Sequence, residues 1–299
     1  MTVLVLGGNG QVGQELLRAL AGEDVVATTR SGRLPNGAAC EQADFDRPDT
    51  LGPLLERIRP VQVINAAAYT AVDKAESERE AAFRANAEAP GVLARWCAAN
   101  AVPLVHYSTD YVFDGQGTRP YRPDDATAPL GVYGESKLAG EEAIRAANGR
   151  HLIFRTAWVY AAHGHNFLRT MLRVGAERDE LKVVADQIGT PTPAALIAGI
   201  TLQALRHPGE FSGTWHLTAG GQTSWHGFAE GIFARAAARG LIKRVPSVQP
   251  IGTSEYPTPA RRPAYSRLDT ASLERDFGVV LPGWEQGLER VLDEVSAVA

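Results

Sequence analysis

Apolar residues in this chain come in short unbroken runs separated by amphipathic stretches. Val3-Leu4-Val5-Leu6 is such a run, closed by glycine, and residues 25–28, 61–65, 103–107 and 151–155 repeat the pattern. A strand apolar on both sides is buried on both sides, as in a parallel sheet covered by helices. Between the runs, apolar positions recur at helical spacing over residues 15–20, 48–59, 77–100 and from just after Pro129 to about residue 147. Ser77 reads as an N-cap, and Asp46 either as an N-cap or as part of a ligand-facing loop. Strand–helix alternation of this kind predicts an α/β, doubly wound parallel sheet.

Beyond Thr156 the alternation becomes irregular. Residues 167–176 and 194–206 read as helices, 181–185 and 214–217 as strands, 186–192 as a rigid turn, and Ser224 as a helix cap. Residues 256–263 form a stiff, basic, proline-rich segment. The expected division is a dinucleotide-binding domain over residues 1–158. Residues 159–299 mainly form a smaller C-terminal substrate lobe, with segments that return to the first domain.

Composition narrows the function classes. With 299 residues, 44% hydrophobic and 21% charged, the chain has ample material for a core. A net charge of −4 argues against a nucleic-acid partner. No apolar stretch approaches the roughly 18 residues of a membrane span. The first apolar run has no basic segment before it, so no signal peptide is expected and the cytoplasm is the expected location. Cys40 and Cys97 lack metal-site or disulfide-framework spacing, and Cys97 lies on an apolar helix face.

The glycines after the first strand carry the first chemistry. Gly7-Gly8-Asn9-Gly10-Gln11-Val12-Gly13 sits between a strand and a helix, the context in which glycines admit a pyrophosphate to backbone amides. This makes the first half Rossmann-type. An acid at the end of the second strand would bind the adenosine ribose and select NAD. Here Thr28-Thr29-Arg30-Ser31 is followed by Arg33, and guanidinium and hydroxyl groups suit a 2′-phosphate, so NADPH is favoured over NADH. Asp44 and Phe45 suit an adenine contact. Ala66, Ala67 and Ala68 leave room for a cofactor against the backbone. Thr109 ends a strand, where ligands bind in such sheets, and His106 before it reads as a packed core residue. The loop over residues 112–129 suits an active-site cover.

Tyr133 and Lys137 lie one helical turn apart. A cation beside a phenol lowers its pKa, which would tune Tyr133 as a general acid or base.

These segments together resemble the extended short-chain dehydrogenase/reductase superfamily across nearly the whole chain. The likeness sharpens over residues 108–115, 132–141, 154–160 and 257–268, toward the branch acting on dTDP-linked keto sugars. The resemblance implies NAD(P)H-dependent reduction of the C4 ketone of such a sugar. Tyr133 would be the proton donor, Lys137 would hold the nicotinamide ribose, and Thr109 would polarise the carbonyl. It implies cofactor contacts at Gly7, Gly10, Gln11, Val12, Arg30, Asp44, Phe45, Ala66, Ala67, Ala68, Tyr107, Tyr133 and Lys137. It implies substrate contacts at Thr109, Asp110 and Trp158, and Arg261 is a further candidate for the nucleotide pocket. Some members bridge a dimer with magnesium. Glu15 matches one ligand position, but another is Ala195, so no metal site is expected here, and the chain is expected as a monomer or homodimer. Two rivals remain: another nucleotide-sugar dehydratase or epimerase, and a non-catalytic NADP-binding regulatory subunit. A dehydratase needs an extra acid at the position Tyr111 fills; intact Thr109, Tyr133 and Lys137 count against the binder.

Overall fold

The computed structural model describes residues 2–298. Seven parallel strands form the central sheet: β1 (Val3–Leu6), β2 (Val25–Thr29), β3 (Glu41–Gln42), β4 (Gln62–Asn65), β5 (Leu104–Thr109), β6 (His151–Thr156) and β7 (Gly213–His216). Their spatial order is β7-β6-β5-β4-β1-β2-β3. The chain thus builds outward from β1 to one edge, returns to β4, and proceeds to the other. The reversal between β1 and β4 leaves a crevice at the strands' carboxyl ends, the place where such sheets bind ligands.

Two apolar layers cover the sheet. On one face α1 (Gln11–Ala19) packs against the late helix Ala194–Arg206, and Leu16, Ile197 and Leu202 close over Val5, Val105 and Phe154. On the other, Leu51, Leu55, Leu93 and Ile144 meet Leu4, Leu6, Val63 and Ile153. Strands β1 and β5 are buried along their whole length, which is why they read as unbroken apolar runs. A third cluster, with Phe228, Phe233, Leu288 and Leu292, fills the second half between Phe167–Glu177, Trp225–Ala238 and Trp284–Val298. Strand β7 and the helix 194–206 belong to the second half of the chain but complete the first sheet and its cover.

Several elements differ from the sequence reading. The helix expected over residues 77–100 runs from Arg79 to Ala99 with a π-turn at Arg84–Glu88 inside it, and a separate short helix, Val72–Ala75, precedes it. Ser77 is not an N-cap, since its hydroxyl donates to Lys74 O. Asp46 caps no helix either: its carboxylate pairs with Arg30 at 3.1 Å. Strand β3 and the strand Ser247–Ile251, which pairs in parallel with the expected strand at Glu180–Val184, were not shown by hydropathy. Ser224 does cap its helix, accepting from Gly227 N at 3.0 Å. Among the described residues no helix is long and apolar enough to cross a membrane.

Candidate active site

At the β1/β4 crevice lies a cavity of about 520 Å³, the size of a small-molecule site. Its floor is the glycine turn. Gly7 has φ +80°, and a side chain there would bring Cβ within 2.7 Å of Ala67 N; at Gly13 it would lie 2.1 Å from Gly7 O. Only glycine allows α1 to start so close to β1 and β4. Gly10 precedes the helix with no side-chain cap, so the first-turn amides of α1 remain free for an anion.

The cavity brings together most of the expected cofactor residues: Gly7, Gly10, Gln11, Val12, Arg30, Phe45, Ala66, Ala67, Ala68, Tyr107, Tyr133 and Lys137. An elongated dianion with an apolar ring at each end fits this lining. Arg30 stands at one end, the helix N-terminus in the middle, and Tyr133 with Lys137 at the other. Asp44 is not in the wall. It sits behind Arg30, whose guanidinium lies 3.6 Å from Asp44 and 3.1 Å from Asp46. These acids hold the arginine while leaving it largely exposed. Arg33 folds back instead, donating to Gly37 O.

Tyr133 is on the first turn of α2 (Val132–Ala146), which starts where Val132 N donates to Glu76 at 3.0 Å. Burial pushes its phenol up to about 12, with the Thr109 hydroxyl acting in the opposite direction. Thr109 Oγ1 donates to Asp110 at 3.0 Å and accepts from Tyr111 N at 3.2 Å. Asp110 is buried; desolvation raises its carboxyl to about 6 against the Ser266 and Thr109 hydroxyls. The Tyr111 ring packs edge-on to Tyr133 at 5.5 Å, and burial drives its phenol upward.

Lys137 departs from expectation. It is fully sunk, with Nζ 2.6 Å from Tyr107 O and 3.3 Å from His106 Nε2. Burial draws its ammonium down to about 8, opposed by Glu141. The expected lowering of the Tyr133 phenol by Lys137 is therefore absent in this arrangement, because the amine is turned inward to strand β5. Tyr107 lines the cavity, but its backbone carbonyl is taken by Lys137 and its hydroxyl is bonded to Thr201 at 2.8 Å.

Two buried networks set where α2 lies. Glu141 receives Arg155 through two hydrogen bonds of 2.9 and 2.7 Å and Ser108 at 2.5 Å, tying the helix to β5 and β6. Asn86, on the π-turn, accepts from Tyr69 N and donates to Tyr69 O and Ser136 Oγ. The π-turn aims Asn86 between the β4 loop and α2, a use of such turns near functional sites.

The second half contributes a separate wall. Trp158 has φ +48° and stacks on Trp225 at 3.6 Å and 7°, while Gly189 abuts its indole. Neither Trp158 nor Arg261, Thr109 or Asp110 lines the cavity itself; Arg261 is exposed. Its neighbour Arg262 pairs with Asp73 at 2.8 Å and anchors the proline-rich segment to the first half.

The loop around His163-Gly164-His165 also belongs to the site, which residue spacing alone does not show. His163 Nε2 lies 2.7 Å from Glu15, Asn166 donates to Gln11 at 2.7 Å, and Gly164 and His165 line the cavity. Glu15 is thereby engaged, by His163 and by Arg18 at 3.3 Å. No cluster of three or more His, Cys, Asp or Glu suited to a metal occurs among the described residues.

A glycine-turn dinucleotide fold whose cleft is lined by the tyrosine and lysine of a Tyr-x-x-x-Lys helix defines an oxidoreductase of the short-chain dehydrogenase/reductase type. More narrowly, the chain belongs to the family described as RmlD substrate binding domain, whose model matches residues 1–297. It is 46% identical over 306 aligned residues to a dTDP-4-dehydrorhamnose reductase from Shigella flexneri, covering 99% of this chain and 98% of the relative. A solved dTDP-4-dehydrorhamnose reductase from Clostridium acetobutylicum superposes with a TM-score of 0.90 at 36% identity, covering 99% of each chain. One from Bacillus anthracis, in complex with NADP, gives 0.88 at 35% identity, covering 98% of this chain and 99% of that one.

Proposed function

We propose that this chain reduces the C4 ketone of dTDP-4-dehydro-β-L-rhamnose to dTDP-β-L-rhamnose with NADPH. The observation that carries the reading is the Tyr133–Thr109 pair, where the first turn of α2 meets the end of β5, beside the cavity that gathers the expected dinucleotide residues, in a chain that aligns over 99% of its length with such a reductase. NADPH, when bound, supplies the hydride that reaches C4.

The chain's own residues do the rest. The free amides at the start of α1 take the pyrophosphate, and Arg30 meets the 2′-phosphate. Lys137, on turning from Tyr107 O, would hold the nicotinamide ribose. The Thr109 hydroxyl turns from Asp110 to the ketone oxygen and polarises it. Tyr133, held protonated at neutral pH by its raised pKa, gives its proton to the oxygen as negative charge develops there. Trp158, flat and fixed by Trp225, is the wall against the sugar, and Arg261 faces the nucleotide diphosphate. A dehydratase is disfavoured because the position where it needs an acid holds Tyr111, a phenol packed on Tyr133. A silent binding subunit would have no need of the Tyr133–Thr109 geometry.

The test is NADPH consumption with a panel of nucleotide-linked keto sugars. Turnover is expected with the dTDP-linked 4-keto-6-deoxy sugar and at most weakly with the others. No turnover on any of them would overturn the reading.

A further inference from the structure

His106 lies at the centre of strand β5, 1% exposed, between two nitrogen-bearing side chains. Asn65, its direct partner across the sheet, brings Nδ2 to 3.0 Å from His106 Nδ1. Lys137 brings Nζ to 3.3 Å from His106 Nε2. The orientation of Asn65 is set by a third contact: its Oδ1 accepts from Ala67 N at 3.1 Å. The NH₂ group is therefore the end that faces the imidazole, and Nδ1 must accept from it.

A neutral imidazole with an accepting Nδ1 carries its proton on Nε2. That proton points at Lys137. An imidazolium is excluded, because it would set an N–H against the Asn65 NH₂, and because burial holds His106 well below its ordinary pKa. An ammonium at Lys137 would set donor against donor. A neutral amine satisfies both contacts at once, accepting from His106 Nε2 and donating to Tyr107 O at 2.6 Å.

We propose that the Asn65–His106 pair holds Lys137 as a neutral amine in this arrangement, so that engaging a dinucleotide ribose with an ammonium takes up a proton from solvent. The proton adds to the Nζ lone pair; no other bond is made or broken. His106 is thus a positioning residue, not a packing filler. The idea rests on the dinucleotide reading above. It agrees with the burial that brings Lys137 down to about 8. The other ionisable groups around Lys137 do not supply the proton. Glu141, one turn on, is held below its usual range despite desolvation, by Arg155, Ser108 and Arg145. Tyr133, one turn back, and Tyr107 on β5 both stay protonated phenols. Arg155 on β6 is committed to Glu141.

The test is calorimetric titration of the whole protein with NADP⁺ in two buffers of different ionisation enthalpy. At pH 9 the account expects uptake of about one proton per site, and near none at pH 7, above the range where the 2′-phosphate itself titrates. Between pH 8 and 9 the dissociation constant should rise about fivefold. Asn65→Asp gives an acceptor to both Ala67 N and His106 Nδ1–H, moves the imidazole lone pair to Nε2, and should abolish the uptake at pH 9. Nitrogen-15 NMR of His106 in the wild-type protein reads the tautomer directly, with the proton expected on Nε2. A proton on Nδ1, or NADP⁺ binding at pH 9 without uptake, or unchanged uptake in Asn65→Asp, would overturn the inference alone. Failure to bind either nicotinamide cofactor would overturn the dinucleotide reading with it.

Discussion

The two sides of the cleft are built differently. On the cofactor side, most wall residues sit at or just beyond a strand end, on the glycine turn or on a helix packed against the central sheet, with Gly164 and His165 added by a loop. On the side proposed for the sugar, the pieces come from separated segments: Trp158 after β6, Trp225 at a helix start, and Arg261 and Arg262 in a proline-rich crossing segment. The cofactor side is one rigid frame; the sugar side is held by point contacts such as Arg262–Asp73 and the Trp158–Trp225 stack. Chemistry common to many reductases belongs on the frame, and selectivity belongs on loops the frame positions. Tyr133 and Thr109 stand at the seam.

Substitutions at the seam should therefore have the largest effect. Tyr133→Phe removes the proton donor and leaves the cleft shape, so kcat should fall about 10²- to 10⁴-fold with NADPH affinity kept. Steady-state kinetics with a cofactor titration would check this, and unchanged turnover would remove Tyr133 from the chemistry. Next come the two sides, each alone. Arg30→Ala should weaken NADPH about tenfold, close to 1.4 kcal/mol, while barely changing NADH or the sugar KM. Arg261→Ala should do the converse, raising the sugar KM several-fold with both cofactors unaffected. If either substitution moved both KM values together, the two sides would not be separable.

The smallest effect concerns stability. The Asp110 carboxyl is raised from 3.8 to about 6 by burial. A group with a raised folded-state pKa contributes stability below its unfolded value and loses it as pH rises through the folded value. Asp110→Asn, which cannot ionise, should therefore raise Tm by a few degrees at pH 8 and by almost nothing at pH 4. Thermal melts at the two pH values would read it; an equal gain at both would exclude ionisation as the cause.

The same contrast decides what could be read from residues alone. Strands β1, β5 and β6 were legible because burial on both faces makes them continuous apolar runs, and the glycine turn because its spacing follows from sterics. The strand Ser247–Ile251 was not: it pairs with one partner, is mostly exposed, and contains Pro250, so neither alternation nor a run marks it. The π-turn at Arg84–Glu88 hides inside helical periodicity and shows itself only through the contacts of Asn86. In the site, helix spacing correctly put Tyr133 and Lys137 on one face. It carried no information on where a long amine turns, and the partners that claim Lys137, Tyr107 O and His106 Nε2, lie on β5, about thirty residues back along the chain. His163 and Asn166 were invisible for the same reason, since their partners Glu15 and Gln11 are reached only through the fold.

The central claim is that this cleft delivers a hydride to C4 of a nucleotide-linked keto sugar and that Tyr133 supplies the proton. The most direct measurement is the reaction with NADPH deuterated at the transferring position of the nicotinamide, with the sugar product analysed by mass spectrometry and NMR. The account predicts one deuterium, at C4 of the product, and a new hydroxyl there. Cofactor oxidation without label at C4, or label at any other carbon, would contradict it.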